Sequence, residues 1–229
     1  MIRRWSRIAT LAGLAAGTWA AATCSSGTDA APDFSVTTDP VPATTLGTQE
    51  TVHVHLASTG LAGSATVTVT GAPANWTVTP PGAPVNLTAN GQALADVIVA
   101  IPSNGDAAPS GDTLAIAATI GATEHVAKAV VTVANEFVVP IQLGAISGAH
   151  WGTLSADTIH VSVGTLVTFQ NNDTTLHIIH AGGSIGIAHQ NVSGGTLPGG
   201  TYQQTISNTG SDKIWCHSHG GDTLYFVVP

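Results

Sequence analysis

The chain has 229 residues and a formal net charge of −8, with five basic residues against thirteen acidic ones. Because an acidic surface repels phosphate groups, this composition argues against a nucleic-acid-binding role. Only 8% of the residues are charged, and no long segment repeats apolar residues at a helical period. The abundance of Thr, Val, Ala and Gly instead predicts an all-β protein.

The N-terminus has the pattern of an export signal. Three arginines occur in residues 1–7, and an apolar run of small residues follows up to Ala22. This predicts a signal peptide over residues 1–23, since the run is too short for a convincing membrane-spanning helix. Cys24 resembles the lipidated cysteine of a bacterial lipoprotein, and signal cleavage nearby without lipidation is the alternative. We expect an exported protein of the periplasm or cell envelope, attached to the membrane if Cys24 is lipidated.

Residues 24–33 have the composition of a linker, and residues 34–134 are predicted to form a β-sandwich. Alternating strand patterns occur at 51–56, 65–70, 95–101, 114–120 and 125–133. The Val-Thr-Val-Thr run that ends at Thr70, the Gly71-Ala72-Pro73 and Trp76 that follow, and the turn at 102–109 resemble the immunoglobulin-like modules of bacterial surface proteins. That resemblance implies a spacer or adhesion role without chemistry.

Residues 135–229 are predicted to form a second β domain. Its strands are expected at 137–143, 158–163, 166–170, 177–180, 201–206, 211–216 and 224–228. Cys216 is the only cysteine after Cys24, and it lies in the run Trp215-Cys216-His217-Ser218-His219. An exported thiol without a disulfide partner is exposed to oxidation, so it needs a reason to be retained. The neighbouring histidines indicate metal binding, and two imidazoles with one thiolate are the donors of a mononuclear copper site.

Two motifs resemble those of the cupredoxins, in particular the plastocyanin-like group of type 1 blue copper proteins. The first is Val-Gly-x-x-Val-x-Phe-x-Asn-x-Asp at 163–173, which precedes His177; the second is the Cys-x-x-His of Cys216 and His219. The resemblance implies a Greek-key β-barrel or sandwich and one copper ion per chain. It further implies that His177, Cys216 and His219 are the ligands and that the protein is a one-electron carrier, not an enzyme.

Leu224 occupies the position at which this family usually carries an axial methionine, five residues after the second histidine. Leucine cannot coordinate a metal, and no methionine follows Met1. Loss of a thioether donor in an apolar pocket favours Cu(I), so we expect a high reduction potential.

Alternatives exist for both histidine ligands. His180 competes with His177, and His217 competes with His219, although His217 should face away from Cys216 because successive residues of a strand point to opposite faces. His180 and His217 also raise the hypothesis of a second, catalytic copper, as in multicopper oxidases and two-domain nitrite reductases. Such sites draw imidazoles from another cupredoxin domain, whereas this chain is predicted to contain one.

The remaining histidines have no predicted metal partners. His53 and His55 share one face of a strand, which is more often simply a solvent face, and His160 should point outward; His125, His150 and His189 have no partner signature. For a carrier we expect a redox partner such as a basic cytochrome or a terminal oxidase or reductase. Copper storage or delivery at the envelope, and a surface scaffold with a degenerate site, are the alternative functions.

Overall fold

The computed structural model describes residues 30–144, 151, 158–191, 193–219 and 223–229. The predicted signal peptide, Cys24, His150 and the segment 220–222 lie outside the described residues. Every regular element in the described part of the chain is a β-strand or an isolated bridge, which confirms the all-β prediction. Among these residues, no helix reaches the length and apolarity needed to cross a membrane.

The described strands, in chain order, are β1 (Asp33–Thr38), β2 (Thr44–Leu46), β3 (Gln49–Thr59), β4 (Gly63–Thr70), β5 (Thr77–Thr79), β6 (Val85–Leu87), β7 (Gln92–Ala100), β8 (Ala108–Ile120), β9 (Thr123–Ile141), β10 (Thr158–His160), β11 (Leu166–Asn171), β12 (Ile179–His180), β13 (Thr201–Thr205), β14 (Gly210–Cys216) and β15 (Thr223–Val228). All twelve predicted strand segments overlap one of these strands. The alternating patterns do not predict strands β1, β2, β5 and β6.

These strands form three sheets. One has the order β1-β3-β7-β5, another the order β10-β15-β14-β12, and the largest the order β13-β11-β9-β8-β4-β6, with β2 pairing β9 beside it. In β3 the residues alternate strictly, with Val52, Val54 and Leu56 buried and His53 and His55 exposed. This is the pattern of a sheet with one face on the core and one in solvent.

Strand β9 passes through the predicted domain boundary at Asn135 without a break. Its first part pairs antiparallel with β8, and from Glu136 onward it pairs parallel with β11. Two segments predicted as separate strands, 125–133 and 137–143, are therefore one strand of 19 residues. The division into domains at 34–134 and 135–229 stays a prediction, with a shared strand at its boundary.

Buried aromatic residues from two sheets pack together near the predicted metal site. Phe169 of β11 and Phe226 of β15 are both fully buried and meet with ring centroids 6.2 Å apart. Trp151 packs edge-on against Phe169 at 6.4 Å. Trp151 also lies edge-on to the His177 ring at 6.3 Å, so the buried aromatic rings connect β11 and β15 to the segment that carries His177.

Candidate metal centre

Cys216 is the last residue of β14 and is 3% exposed. It lies opposite Ile179 in the antiparallel pairing of β12 with β14, and the backbone amide of His217 donates to the Ile178 carbonyl oxygen at 2.8 Å. These backbone contacts bring the segment that carries His177 beside the end of β14. Cys216 forms no disulfide within the part of the chain that the structure describes.

His177 is fully buried and is fixed by its backbone. It exchanges two hydrogen bonds with Thr196, at 3.0 and 2.6 Å, in an isolated antiparallel bridge. A Cβ atom on the adjacent Gly195 would lie only 2.8 Å from the His177 carbonyl oxygen, so a side chain there would force the two segments apart. The side-chain amide of Asn171 also donates to the Thr196 carbonyl oxygen at 2.8 Å. The imidazole therefore has a defined place in the core.

Asp173 orients the His177 ring. Its carboxylate lies 3.0 Å from Nε2 of His177, and both side chains are buried. The hydrogen bond from His177 lowers the pKa of Asp173 well below its ordinary value, with help from the Thr174 and Gly144 amides and against the opposing effect of burial. An ionised carboxylate can only accept, so Nε2 carries the proton. The other ring nitrogen, Nδ1, then presents a lone pair.

The Nδ1 atom of His177 has no hydrogen-bond partner among the described residues, although it is buried. Buried polar atoms are rarely left unpaired, and each such atom calls for an explanation such as an ion. The donor atoms of His177, Cys216 and His219 all lie within 4.8 Å of one another, and Sγ of Cys216 lies 3.5 Å from Nδ1 of His219. Two imidazole nitrogens and a thiol sulfur fit a copper or zinc ion. The residues present thus fit the ion that the sequence predicts.

Leu224 is 2% exposed and lies opposite Ile214 in the pairing of β14 with β15. Cross-strand neighbours share a face, and Cys216 lies two residues beyond Ile214 on that same face. Leu224 is therefore buried on the side of the sheet that carries the thiol. Its predicted role beside the metal stays a prediction.

A second group of imidazoles consists of His180, His189 and His217, whose donor atoms also lie within 4.8 Å of one another. His180 is half-buried, while His189 and His217 are exposed. His180 stacks on the indole ring of Trp215 with ring centroids 3.8 Å apart. Desolvation lowers the pKa of His180, and the nearby His189 and His217 lower it further against the opposing effect of Asp212.

The structure separates the four competing histidines into these two groups. His177 and His219 lie with Cys216, whereas His180 and His217 lie together elsewhere. His189, for which the sequence indicates no partner, joins the second group because the chain returns past β12 at that point. Asp173 is part of the first cupredoxin-like motif, yet the motif does not predict its contact with the His177 ring.

The other described histidines belong to neither group. His53 pairs with Asp96 at 2.8 Å, His55 with Asp39 at 3.0 Å, and His125 with Asp33 at 2.7 Å. All three pairs are solvent-exposed. His160 is exposed, as the strand alternation predicts.

No protein-family model and no curated protein matches this chain. Solved structures do match, and they include several cupredoxins, the family that the two motifs resemble. A purple cupredoxin from Nitrosopumilus maritimus is 24% identical, covers 40% of this chain and 98% of its own, and has a TM-score of 0.33. A reduced mutant of amicyanin is 22% identical, with coverages of 42% and 83% and a TM-score of 0.32. A Cu(I) form of another amicyanin mutant is 22% identical, with coverages of 42% and 84% and a TM-score of 0.32.

Proposed function

We propose that residues 135–229 form a cupredoxin domain that binds one type 1 copper ion through His177, Cys216 and His219 and carries single electrons. One observation supports this above all. A buried thiol, a buried imidazole nitrogen with no hydrogen-bond partner among the described residues, and a second imidazole converge within 4.8 Å. Bound copper would supply a one-electron Cu(II)/Cu(I) couple at this point.

The residues of the site have distinct roles in this proposal. Cys216 provides the thiolate, and its burial limits access of other oxidants and thiols to the sulfur. Asp173 holds the His177 ring with Nδ1 unprotonated, which also raises the basicity of that nitrogen. Backbone hydrogen bonds join the segments that carry His177 and Cys216, which would hold the two donors in place around a bound ion.

Leu224 would set the reduction potential. A buried leucine on the thiol side of the sheet excludes water and offers no donor atom. An apolar surrounding disfavours the additional charge of Cu(II), so we propose a potential above that of relatives with a methionine at this position.

Electrons would enter and leave near His219, which is half-buried whereas the other two donors are buried. Leu176 precedes His177, and Leu197 follows Thr196, the bridge partner of His177. The two leucines are 37% and 64% exposed. An uncharged apolar surface permits close approach in a small, transient interface with a redox partner. The acidic character of the rest of the chain would attract a basic partner such as a cytochrome at longer range.

The remainder of the chain would position this site. We propose that residues 1–23 direct export to the periplasm or cell envelope and that Cys24 is a site of lipid attachment. The immunoglobulin-like region, 34–134, would then act as a spacer between the membrane and the copper domain.

The first experiment is copper titration of the chain from Ser25 onward, followed by visible absorption spectroscopy and elemental analysis. We expect an intense thiolate-to-copper band that saturates at one copper per chain, together with fast electron self-exchange. Absence of the band would contradict the copper site. A band with slow self-exchange and ready loss of copper to chelators would instead indicate storage or delivery.

A further inference from the structure

We propose that His180, His189 and His217 form a second metal site, which binds one divalent transition-metal ion of the zinc or copper type. This site lies outside the predicted copper site and shares no donor atom with it. The inference goes beyond the proposed electron-carrier function and does not depend on it.

The three imidazoles converge on one nitrogen atom. Nδ1 of His217 lies 3.1 Å from Nδ1 of His180 and 3.4 Å from Nε2 of His189. The rings of His180 and His189 are 4.2 Å apart and nearly perpendicular, at 78°. The rings of His180 and His217 are nearly parallel, at 22°, so it is the short distances between the donor nitrogens, and not the ring angles, that bring the three imidazoles to a common point.

The hydrogen bonds of the group leave room for a metal in place of a proton. Nδ1 of His189 lies 2.6 Å from the Gln190 carbonyl oxygen, which can only accept, so Nδ1 carries the proton and Nε2 has a free lone pair. Between the Nδ1 atoms of His180 and His217 there is room for one proton. When His180 and His217 both carry their protons on Nε2, all three inward nitrogens present lone pairs.

The scaffold holds these donors in place. The Gln190 amide donates to the Ile179 carbonyl oxygen at 2.9 Å, and the Ile179 amide donates to the Gln190 side chain at 3.0 Å. These bonds tie the segment of His189 to β12, which carries His180. His217 is tied to the same region through the Ile178 carbonyl oxygen. Donors on hydrogen-bonded segments are better preorganised for an ion than donors on independent loops.

The donor set selects the class of ion. All three donors are neutral nitrogens, and imidazole suits zinc, copper and nickel, whereas calcium and magnesium prefer oxygen. Three protein ligands leave a coordination position open for water or an exogenous ligand. The donation from His189 to a backbone carbonyl is the support that metal-bound histidines commonly have.

The test is a Zn²⁺ titration of the full chain by equilibrium dialysis, with bound zinc measured by elemental analysis. Every sample carries Cys24→Ser, so that Cys216 is the only thiol. Five chains are compared. One has no further substitution, and the others carry Cys216→Ser, His189→Gln, both of these together, or His160→Gln as an exposed histidine control. We expect His189→Gln to weaken one zinc site at least about tenfold, with or without Cys216. We expect His160→Gln to have no effect.

The outcomes separate the two proposals. Zinc binding that is lost in Cys216→Ser and unaffected by His189→Gln would overturn the second site and leave the first intact. Zinc binding that is lost in His189→Gln and unaffected by Cys216→Ser would support the second site even if the first failed. Nuclear magnetic resonance of the histidine rings in the Cys24→Ser chain tests the proposal without ligand variants. Zinc should shift the signals of His180, His189 and His217, and shifts confined to His177 and His219 would overturn the proposal.

Discussion

The two imidazole groups lie around the same stretch of chain, Trp215 to His219, yet differ in almost every physical respect. The inner group, which consists of His177, Cys216 and His219, contains a buried thiol and a fully buried histidine. In the outer group, which consists of His180, His189 and His217, two of the three histidines are exposed. The inner histidine is oriented by a buried carboxylate, and the outer His189 by a backbone carbonyl. Strand alternation at Cys216 and His217 assigns one residue to each group.

This difference shows how burial determines the chemistry available to similar side chains. A buried soft donor with two imidazoles suits a metal that changes oxidation state without contacting water. Exposed imidazoles with an open coordination position suit an ion that exchanges ligands with solvent. Single substitutions in and around the two groups should therefore differ widely in their effects.

Replacement of the thiol should have the largest effect. Cys216→Ser removes the only soft donor of the inner group, so the thiolate-to-copper absorption band should disappear entirely. Visible spectroscopy of the copper-loaded chain measures this, with His160→Gln as the matched control that keeps the band. A band that persists in Cys216→Ser would mean that the inner group is not the copper site.

Removal of the orienting carboxylate should weaken metal binding at the inner group only. In Asp173→Asn the His177 ring loses an anionic acceptor, and such a change typically costs about 10- to 100-fold in metal affinity. Asp96→Asn is the matched control, because Asp96 also pairs with a histidine but is exposed. Competition with a copper chelator measures the copper affinity of each of the two variants. Equal affinities in the two variants would show that Asp173 does not support the site.

The same carboxylate should make the metal-free chain sensitive to acid. The folded pKa of Asp173 lies below its ordinary value of 3.8, so its stabilising effect is present above pH 3.8 and is lost as the pH falls below that value. Asp173→Asn should therefore lower the free energy of unfolding by about 2 kcal/mol at pH 7. Denaturant titrations should show this difference shrinking below about pH 4. A difference that is constant with pH would contradict the assignment.

Substitution of Leu224 tests whether this side chain controls the reduction potential of copper bound at the inner group. Leu224→Met would add a thioether donor, which should keep the absorption band and lower the reduction potential by about 59 mV, a tenfold change in oxidation preference. Redox titration measures the potential. Leu87→Met, at another buried leucine, on β6, is the control for the substitution itself. An unchanged potential in Leu224→Met would show that this side chain is not axial.

The strands show how much of the fold could be predicted from the sequence. Strands with long alternating patterns, such as β3 and β7, were predicted because their buried residues recur every second position. Strands β2, β5 and β6 have three residues each, too few to display a period. The boundary predicted at Asn135 falls within β9, where the Asn135 side chain donates to the Gly164 carbonyl oxygen before β11 and the Glu136 carboxylate accepts from Thr168 of β11.

The inner group was predictable as a set because its spacing belongs to a motif, and the structure brings its three donors together. Their role as copper ligands stays a prediction. His189 was missed because its neighbours depend on how the chain returns to β12, and this return is fixed by contacts of Gln190 with Ile179. Local sequence carries no signal for such a tertiary contact.

Substitution of His53, which belongs to neither group, should have the smallest effect. Its imidazole lies on the exposed face of β3 and pairs with Asp96, so it has a carboxylate partner rather than converging imidazoles. Exposed ion pairs contribute little, and His53→Gln should change the free energy of unfolding by less than about 0.5 kcal/mol. Zinc and copper stoichiometries should stay the same. A lost metal equivalent in this variant would mean that convergence of imidazoles does not distinguish metal sites in this protein.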